Sequence, residues 1–464
     1  MSVKDKIAEC INQLRAEGET CFPFLYNSKL ETYNPATDWI LYSGPYWDDE
    51  EIIAAIESLI TGKWVVAGEH VACFEREFAK MYNFQSSLMV NSGSSANLVM
   101  IAAMKKYYQW NDGDEIIISP VGFPTTIAPI VQNRLKPVFV DITYHDLNFD
   151  LDHVEAAIHS NTKGVVLSPV LGNPPNMDDL VSLCKKGGIK LLLDGCDALG
   201  SKWNGKHLSD YAEATTCSFY PAHHITTGEG GMVSSHNDEL VSMARRFAWW
   251  GRDCYCTGST NLSPIGACGK RFAKWIDGYD HIVDHKYLFS TIGYNLKPLD
   301  LQGAIVCVQL KKADEIHTKR RAMKSRLEAI FTHHLGDRIT IPQEVAQAET
   351  SWFGVPIICN EPALKQELVK YFESCRIQTR NYFAGNILQH PGYHHLDDAQ
   401  KFPCANRVLD NVFFVGCHPS YNEAVLARVS DILSSFVKNH LMGGGEAQPF
   451  TIDAGDHRAS KTRS

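Results

Sequence analysis

The chain has 464 residues, 44% hydrophobic and 21% charged, the balance of a soluble globular protein with room for more than one domain. A net charge of −9 and the lack of a basic, aromatic-interleaved stripe exclude nucleic acid as the expected partner, and no apolar run is long enough to span a membrane. Fourteen cysteines, in a chain whose charged first residues lack the apolar core of a signal peptide, predict a cytoplasmic protein with free or metal-bound thiols rather than disulfides.

In chain order, residues 1–37 read as a polar helical lead-in ending near the turn Asn34-Pro35, an extension with no assigned role. A helix is expected after Ser92-Gly93-Ser94-Ser95. Strand-like apolar runs recur at 115–118, 137–140, 164–167 and 190–193, separated by helical patterns. That alternation predicts an α/β fold with a large, mostly parallel sheet covered by helices on both faces. The run 191–193 ends in Asp194, and 216–220 reads as a further short strand breaking into Gly228-Glu229-Gly230-Gly231. A long helix over 299–335, short strands around 352–358 and a last helix near 423–438 read as a small α+β domain. The expected organisation is an extension (1–37), a large domain (38–298), a small domain (299–440) and a polar, glycine-led, disordered tail (441–464). Cys73, Cys184, Cys307, Cys359 and Cys375 fall in apolar patterns and read as small core residues.

A helix that opens on small residues presents free N–H groups to an anion, so Gly93, Ser94 and Ser95 are candidate phosphate ligands, a weak signal alone. A sharper one is Ser218-Phe219-Tyr220-Pro221-Ala222-His223-His224-Ile225-Thr226-Thr227-Gly228-Glu229-Gly230-Gly231. It resembles the cofactor segment of the DegT family of sugar aminotransferases, which are fold-type-I pyridoxal-phosphate enzymes (aspartate aminotransferase-like). The resemblance covers about residues 38–440. In that family the segment reads Ser-Phe-His-x-x-Lys-x-Ile/Leu-Thr-Thr-Gly-Glu-Gly-Gly, and its lysine holds the cofactor as an imine.

The resemblance implies roles for residues in matching places. Gly93, Ser94, Ser95 and Ser218 would hold the phosphate, and Asp194 would pair with the pyridine nitrogen and keep the ring an electron sink. Phe123, in Gly122-Phe123-Pro124-Thr125-Thr126, would stack on the ring. Asn295, in Gly293-Tyr294-Asn295, would reach the phosphate of a neighbouring subunit, which implies a homodimer. Tyr220 and Asp197 stand where the aminotransferases often have histidine, and with Arg380 they are the candidate substrate contacts. His223 occupies the lysine position.

Imidazole forms no imine, so the expected cofactor is non-covalent pyridoxamine 5′-phosphate. Histidine suits a general base, because its pKa lies near working pH. The pattern resembles the 3-dehydrase branch of the family, in which the cofactor's amine condenses with the C4 ketone of a nucleotide-linked, CDP in the nearest case, 4-keto-6-deoxyhexose. His223 would then take a proton from the cofactor methylene and the C3 hydroxyl would leave.

Cys196, Cys254, Cys256 and Cys268 complete the reading. Four thiolates can hold a [2Fe–2S] cluster or zinc, and this spacing matches neither common ferredoxin pattern. The resemblance implies a [2Fe–2S] cluster that relays electrons from a separate flavin and iron–sulfur reductase. The gap between Cys256 and Cys268 is about four residues longer than in that branch, which a loop absorbs at small entropic cost. Cys217 is the nearest competitor for the fourth ligand. Three rivals make different predictions: a cluster-free dehydrase that releases ammonia hydrolytically, a plain aminotransferase, and a catalytically inactive relative that binds zinc.

Overall fold

The computed structural model describes residues 1–19, 21–22, 33–254, 256, 269–273 and 276–442. Cys268 and almost all of the tail lie outside them.

Seven strands form the main sheet: β1 (Ser86–Val90), β2 (Glu115–Ile118), β3 (Lys136–Phe139), β4 (Thr162–Leu167), β5 (Lys190–Asp194), β6 (Ala214–Ser218) and β7 (Gly231–Ser235). Their order is β1-β7-β6-β5-β4-β2-β3. The pairs from β3 to β6 are parallel, and β7 pairs antiparallel with both β6 and β1. The expected strands are thus present within a residue or two of their predicted bounds. Runs such as Ile116–Ile118 and Leu191–Leu193 are buried on both faces, as a parallel sheet under helices requires.

The helices are α1 (Val3–Ala16), α2 (Asp49–Thr61), α3 (Glu69–Met81), α4 (Gly93–Tyr107), α5 (Pro124–Gln132), α6 (Leu151–Ala157), α7 (Met177–Gly187), α8 (Asp238–Ala248) and α9 (Asp300–Leu335). The 36-residue α9 crosses closely over α3. A Cβ on Gly303 would sit 2.4 Å from the Val71 nitrogen, so only glycine allows that approach.

A second sheet of four antiparallel strands follows: β8 (Ile339–Thr340), β9 (Gly354–Cys359), β10 (Thr379–Asn381) and β11 (Val412–Gly416), in the order β8-β9-β11-β10. It packs with α10 (Pro362–Ser374), α11 (Glu423–Phe436) and the far end of α9 around Phe331, Phe372 and Phe436. Cys184 and Cys359 are core residues as expected, whereas Cys73, Cys307 and Cys375 are only partly buried. Among the described residues no helix is long and apolar enough to cross a membrane.

Candidate cofactor site

The carboxyl ends of β5 and β6 and the N terminus of α4 enclose a cavity of about 510 Å³, where open α/β sheets bind ligands. Ser92 caps α4, its side chain accepting the Ser95 N–H at 3.1 Å. Gly93 and Ser94 come next and line the cavity with Ser218 from the end of β6. A Cβ on Gly93 would lie 2.5 Å from Ser218 Cβ and 3.1 Å from Cys196 Sγ, so glycine lets helix and strand meet at this corner. Unpaired helix N–H groups beside a serine hydroxyl make an anion site. Ser95 is not among the residues lining the cavity; its N–H serves the cap, and its hydroxyl accepts from Ser92 Oγ at 3.0 Å.

Asp194 stands at the back, 4% exposed. Its Oδ2 accepts from Asn97 Nδ2 at 2.8 Å and Thr126 Oγ1 at 2.6 Å, and its Oδ1 from the Cys196 N–H at 3.3 Å. Thr216 Oγ1 donates in turn to Asn97 Oδ1 at 2.6 Å. The carboxylate is therefore held on both oxygens and turned toward the cavity floor. Asn97→Ala is expected to cost about 1.5–3 kcal/mol, the usual loss of a hydrogen bond to a buried charge, as measured by urea unfolding. Phe123 caps α5 without a side-chain bond and stands 51% exposed at the rim, edge-on to Phe383.

His223 sits in a turn closed by its N–H to the Tyr220 carbonyl at 3.0 Å, and its side chain is 15% exposed. Burial, then the Arg320 guanidinium, pushes its pKa down to about 3 against a raising hydrogen bond to the Cys196 backbone carbonyl. That is well below the near-neutral value expected from the residue type, so the ring is neutral. Asp197 Oδ1 lies 3.5 Å from His223 Nδ1. Burial and the Asp194 charge push Asp197 up to about 7. His224 points the other way, into the core, donating Nε2–H to the Ser351 carbonyl at 2.7 Å. Tyr220 lines the cavity mouth, half exposed. Arg380, on β10, stacks 4.2 Å over the ring of Tyr42, which lines the cavity.

Two sets of expected site residues are not brought together in one chain. Asn295 lines a separate cavity with Trp249, Trp250, Arg252, Cys256 and Lys297. Burial, then Arg252, pushes Lys297 down to about 8. The cysteines divide likewise. Cys196 faces the first cavity, and burial, then Asp194, raises its thiol well above the usual range. Cys254 and Cys256 are buried, Cys256 lining the second cavity, and Cys268 lies outside the described residues. Among the described residues no group of three or more Cys, His, Asp or Glu side chains is placed to hold a metal ion. The residues of one chain thus fit a pyridoxal-type cofactor and do not, as described, gather around a cluster. Cys217, the competing ligand, is buried in β6 with its thiol toward the Ser218 carbonyl.

A mostly parallel sheet with an aspartate-backed cavity and a serine-and-helix anion corner at its strand ends is a fold-type-I pyridoxal-phosphate architecture. The chain belongs to the DegT/DnrJ/EryC1/StrS aminotransferase family, whose model matches residues 47–434. It is 34% identical over 94% of its length to the dTDP-4-dehydro-2,6-dideoxy-D-glucose 3-dehydratase of Saccharopolyspora spinosa, covering 92% of that protein. It is 34% identical over 74% of its length to the GDP-4-keto-6-deoxy-D-mannose 3-dehydratase of Yersinia pseudotuberculosis, covering 84% of it. The solved Escherichia coli GDP-4-keto-6-deoxy-D-mannose 3-dehydratase with bound hydrated PLP superimposes with a TM-score of 0.73 at 29% identity, over 85% of this chain and 99% of that one.

Sequence reasoning missed Asn97, Thr126 and Thr216, which orient Asp194, and Phe353, whose ring centroid lies 5.4 Å from that of His223. Asn97 carried a signal, since it follows Gly93 by four residues and so shares its helix face. The other three come from separate elements and carried none.

Proposed function

We propose that the chain is a pyridoxamine-phosphate-dependent 3-dehydrase acting on a nucleoside-diphosphate-linked 4-keto-6-deoxyhexose. One observation carries this: among the described residues lining the cavity there is His223 and no lysine, so no amine stands ready to hold a pyridoxal aldehyde. Pyridoxamine phosphate supplies the amine for the sugar's C4 ketone and a ring that accepts electrons. Gly93, Ser94 and Ser218 would take its phosphate, Asp194 its ring nitrogen, and Phe123 would cover its face. Neutral His223 would accept a proton at a ring nitrogen and return it to the departing C3 hydroxyl, which would leave as water. Tyr220 and Arg380 are the sugar-side contacts in this reading, and Asp197, expected among them, stands instead beside the imidazole of His223.

The finer reading adds CDP as the nucleotide, a [2Fe–2S] cluster on Cys196, Cys254, Cys256 and Cys268, a flavin and iron–sulfur reductase as electron donor, and a homodimer in which Asn295 crosses to the neighbouring site. The order of the cysteines in the sequence supports the cluster. Exposed Phe272, Ile282, Tyr287, Phe289 and Ile292 support the dimer, because so much apolar surface in one stretch calls for a cover.

Protein purified without oxygen, analysed for iron, sulfide and zinc and assayed with CDP-, dTDP- and GDP-linked 4-keto-6-deoxyhexoses, tests both levels. The expected result is loss of the C3 hydroxyl dependent on pyridoxamine phosphate, with about two irons and two sulfides per chain. Turnover with ammonia release and no iron would replace the relay by the hydrolytic dehydrase. Net amination would make the chain an aminotransferase, and zinc with no turnover an inactive relative.

A further inference from the structure

Asp197 and His223 face each other in the cavity wall, Oδ1 to Nδ1 at 3.5 Å. Nδ1 is fully buried and has no hydrogen-bond partner. A buried ring nitrogen left unpaired is costly, and a closing shift of about 0.5 Å would bring the carboxylate into bonding range. The second oxygen of Asp197 is already committed, accepting the Leu171 N–H at 3.3 Å. Leu171 is held in the left-handed region (φ 57°, ψ 14°), where a leucine is strained and persists only under local constraint. Gly172 follows at φ +95°, and a Cβ there would come 2.8 Å from the Asp197 and Ser351 carbonyl oxygens. The turn after β4 thus aims an N–H at one carboxylate oxygen and leaves the other facing the imidazole.

We propose that Asp197 is the positioning residue for His223: its carboxylate accepts Nδ1–H, so that Nε2 carries the free lone pair. This rests on the reading of His223 as the base. The backbone of Cys196 also reaches the imidazole and is the competing support.

Asparagine and alanine at position 197 separate the two. The Leu171 N–H requires an acceptor, so in Asp197→Asn the amide oxygen takes that place and the NH₂ faces Nδ1. An NH₂ donates, which drives the proton to Nε2 and blocks the base. Asp197→Ala leaves Nδ1 unheld and the two tautomers mixed. Asparagine, although nearer in shape, is expected to be the worse substitution, the opposite of what a packing role would give.

The test is the ring-nitrogen spectrum of [15N]histidine-labelled protein at pH 8, with and without added pyridoxamine phosphate. His223 is identified by the signals missing in His223→Asn. Wild type is expected to show Nδ1–H, Asp197→Ala a mixture and Asp197→Asn Nε2–H. With CDP-4-keto-6-deoxyglucose, kcat should fall about 10–100-fold in Asp197→Ala and further in Asp197→Asn, while KM changes less than about threefold. An Nδ1–H tautomer retained in both variants overturns the proposal and gives the ring to the Cys196 carbonyl. If the alanine variant fails to fold, the isosteric asparagine variant decides by its tautomer alone. Normal turnover by His223→Asn would instead sink the base reading, whatever the tautomers do.

Discussion

His223→Asn is expected to slow the exchange of a labelled methylene proton of bound pyridoxamine phosphate with solvent by about 10²–10⁴-fold, the usual worth of a positioned general base. The reason lies in the two nitrogens of the ring. A neutral imidazole offers a lone pair at the cavity, whereas an amide of the same reach has no basic nitrogen. The fold should survive, because the ring makes no hydrogen bond that the core depends on: Nδ1 is unpartnered, while the neighbouring His224 carries the structural bond to Ser351. Cofactor binding should survive as well, since the anion corner and Asp194 lie on other elements. Equal exchange rates in the variant and the parent would move the base elsewhere, with Glu229 on the same wall the next group to examine. The complementary change, His223→Lys, is expected to give an adduct of the cofactor's mass after borohydride treatment with pyridoxal phosphate, which the parent should not give.

How far the sequence reveals such a site depends on whether its parts are local. The strands at 115–118 and 190–193 are legible because each is a short apolar run buried on both faces, and no surface residue interrupts the pattern. β7 is hidden, because it opens on Gly231 inside a glycine-rich turn and pairs antiparallel. β10 and β11 are hidden as well, being short and set by their neighbours in the second sheet rather than by their own residues. Within the site, His223, Asp194 and Gly93 are legible because each is marked by a motif of adjacent residues. The hydrogen bonds of Thr126 and Asn97 to Asp194 join residues 68 and 97 positions apart, and no local pattern encodes that convergence. The cysteines show the same limit from the other side. Their order resembles a ligand set, but order along a chain does not decide which thiols share a space, and the structure puts Cys196 and Cys256 on different cavities.

Stability is expected to fall steeply as pH drops from 6.5 toward 4, by roughly 4 kcal/mol per pH unit, a slope set by about three protons taken up on unfolding. His317 and His418 are pushed down to about 3, chiefly by burial and then by Arg320, and burial drives His224 well below its usual value. In the folded protein these three rings stay neutral through the window, while in the unfolded chain they take up protons near 6.5. A group whose folded pKa is depressed contributes stability above its unfolded pKa and loses it as pH falls toward the folded value. All three therefore act with the same sign. His223 would add a fourth proton, but Asp197, raised to about 7, acts oppositely, since it holds a proton in the folded state where the unfolded carboxyl has lost it. Those two cancel between about pH 4 and 6.5, leaving three. Two of the three rings share one buried stretch, in which His317 Nδ1 meets Ser351 Oγ at 2.7 Å, His224 meets the Ser351 carbonyl, and Arg320 binds the carbonyls of Trp352 and Phe353. His418, also disfavoured as a cation by Arg320, donates to the Gly44 carbonyl at 3.0 Å. A protonated His224 or His317 would stand beside the Arg320 guanidinium, whose charge disfavours it. Urea unfolding at pH 7, 6 and 5 measures the slope, and His418→Gln, which removes one titrating ring, should flatten it by about 1.4 kcal/mol per pH unit. A slope near zero over that range would mean that water reaches these rings and that they titrate in the folded protein as they do in the unfolded chain.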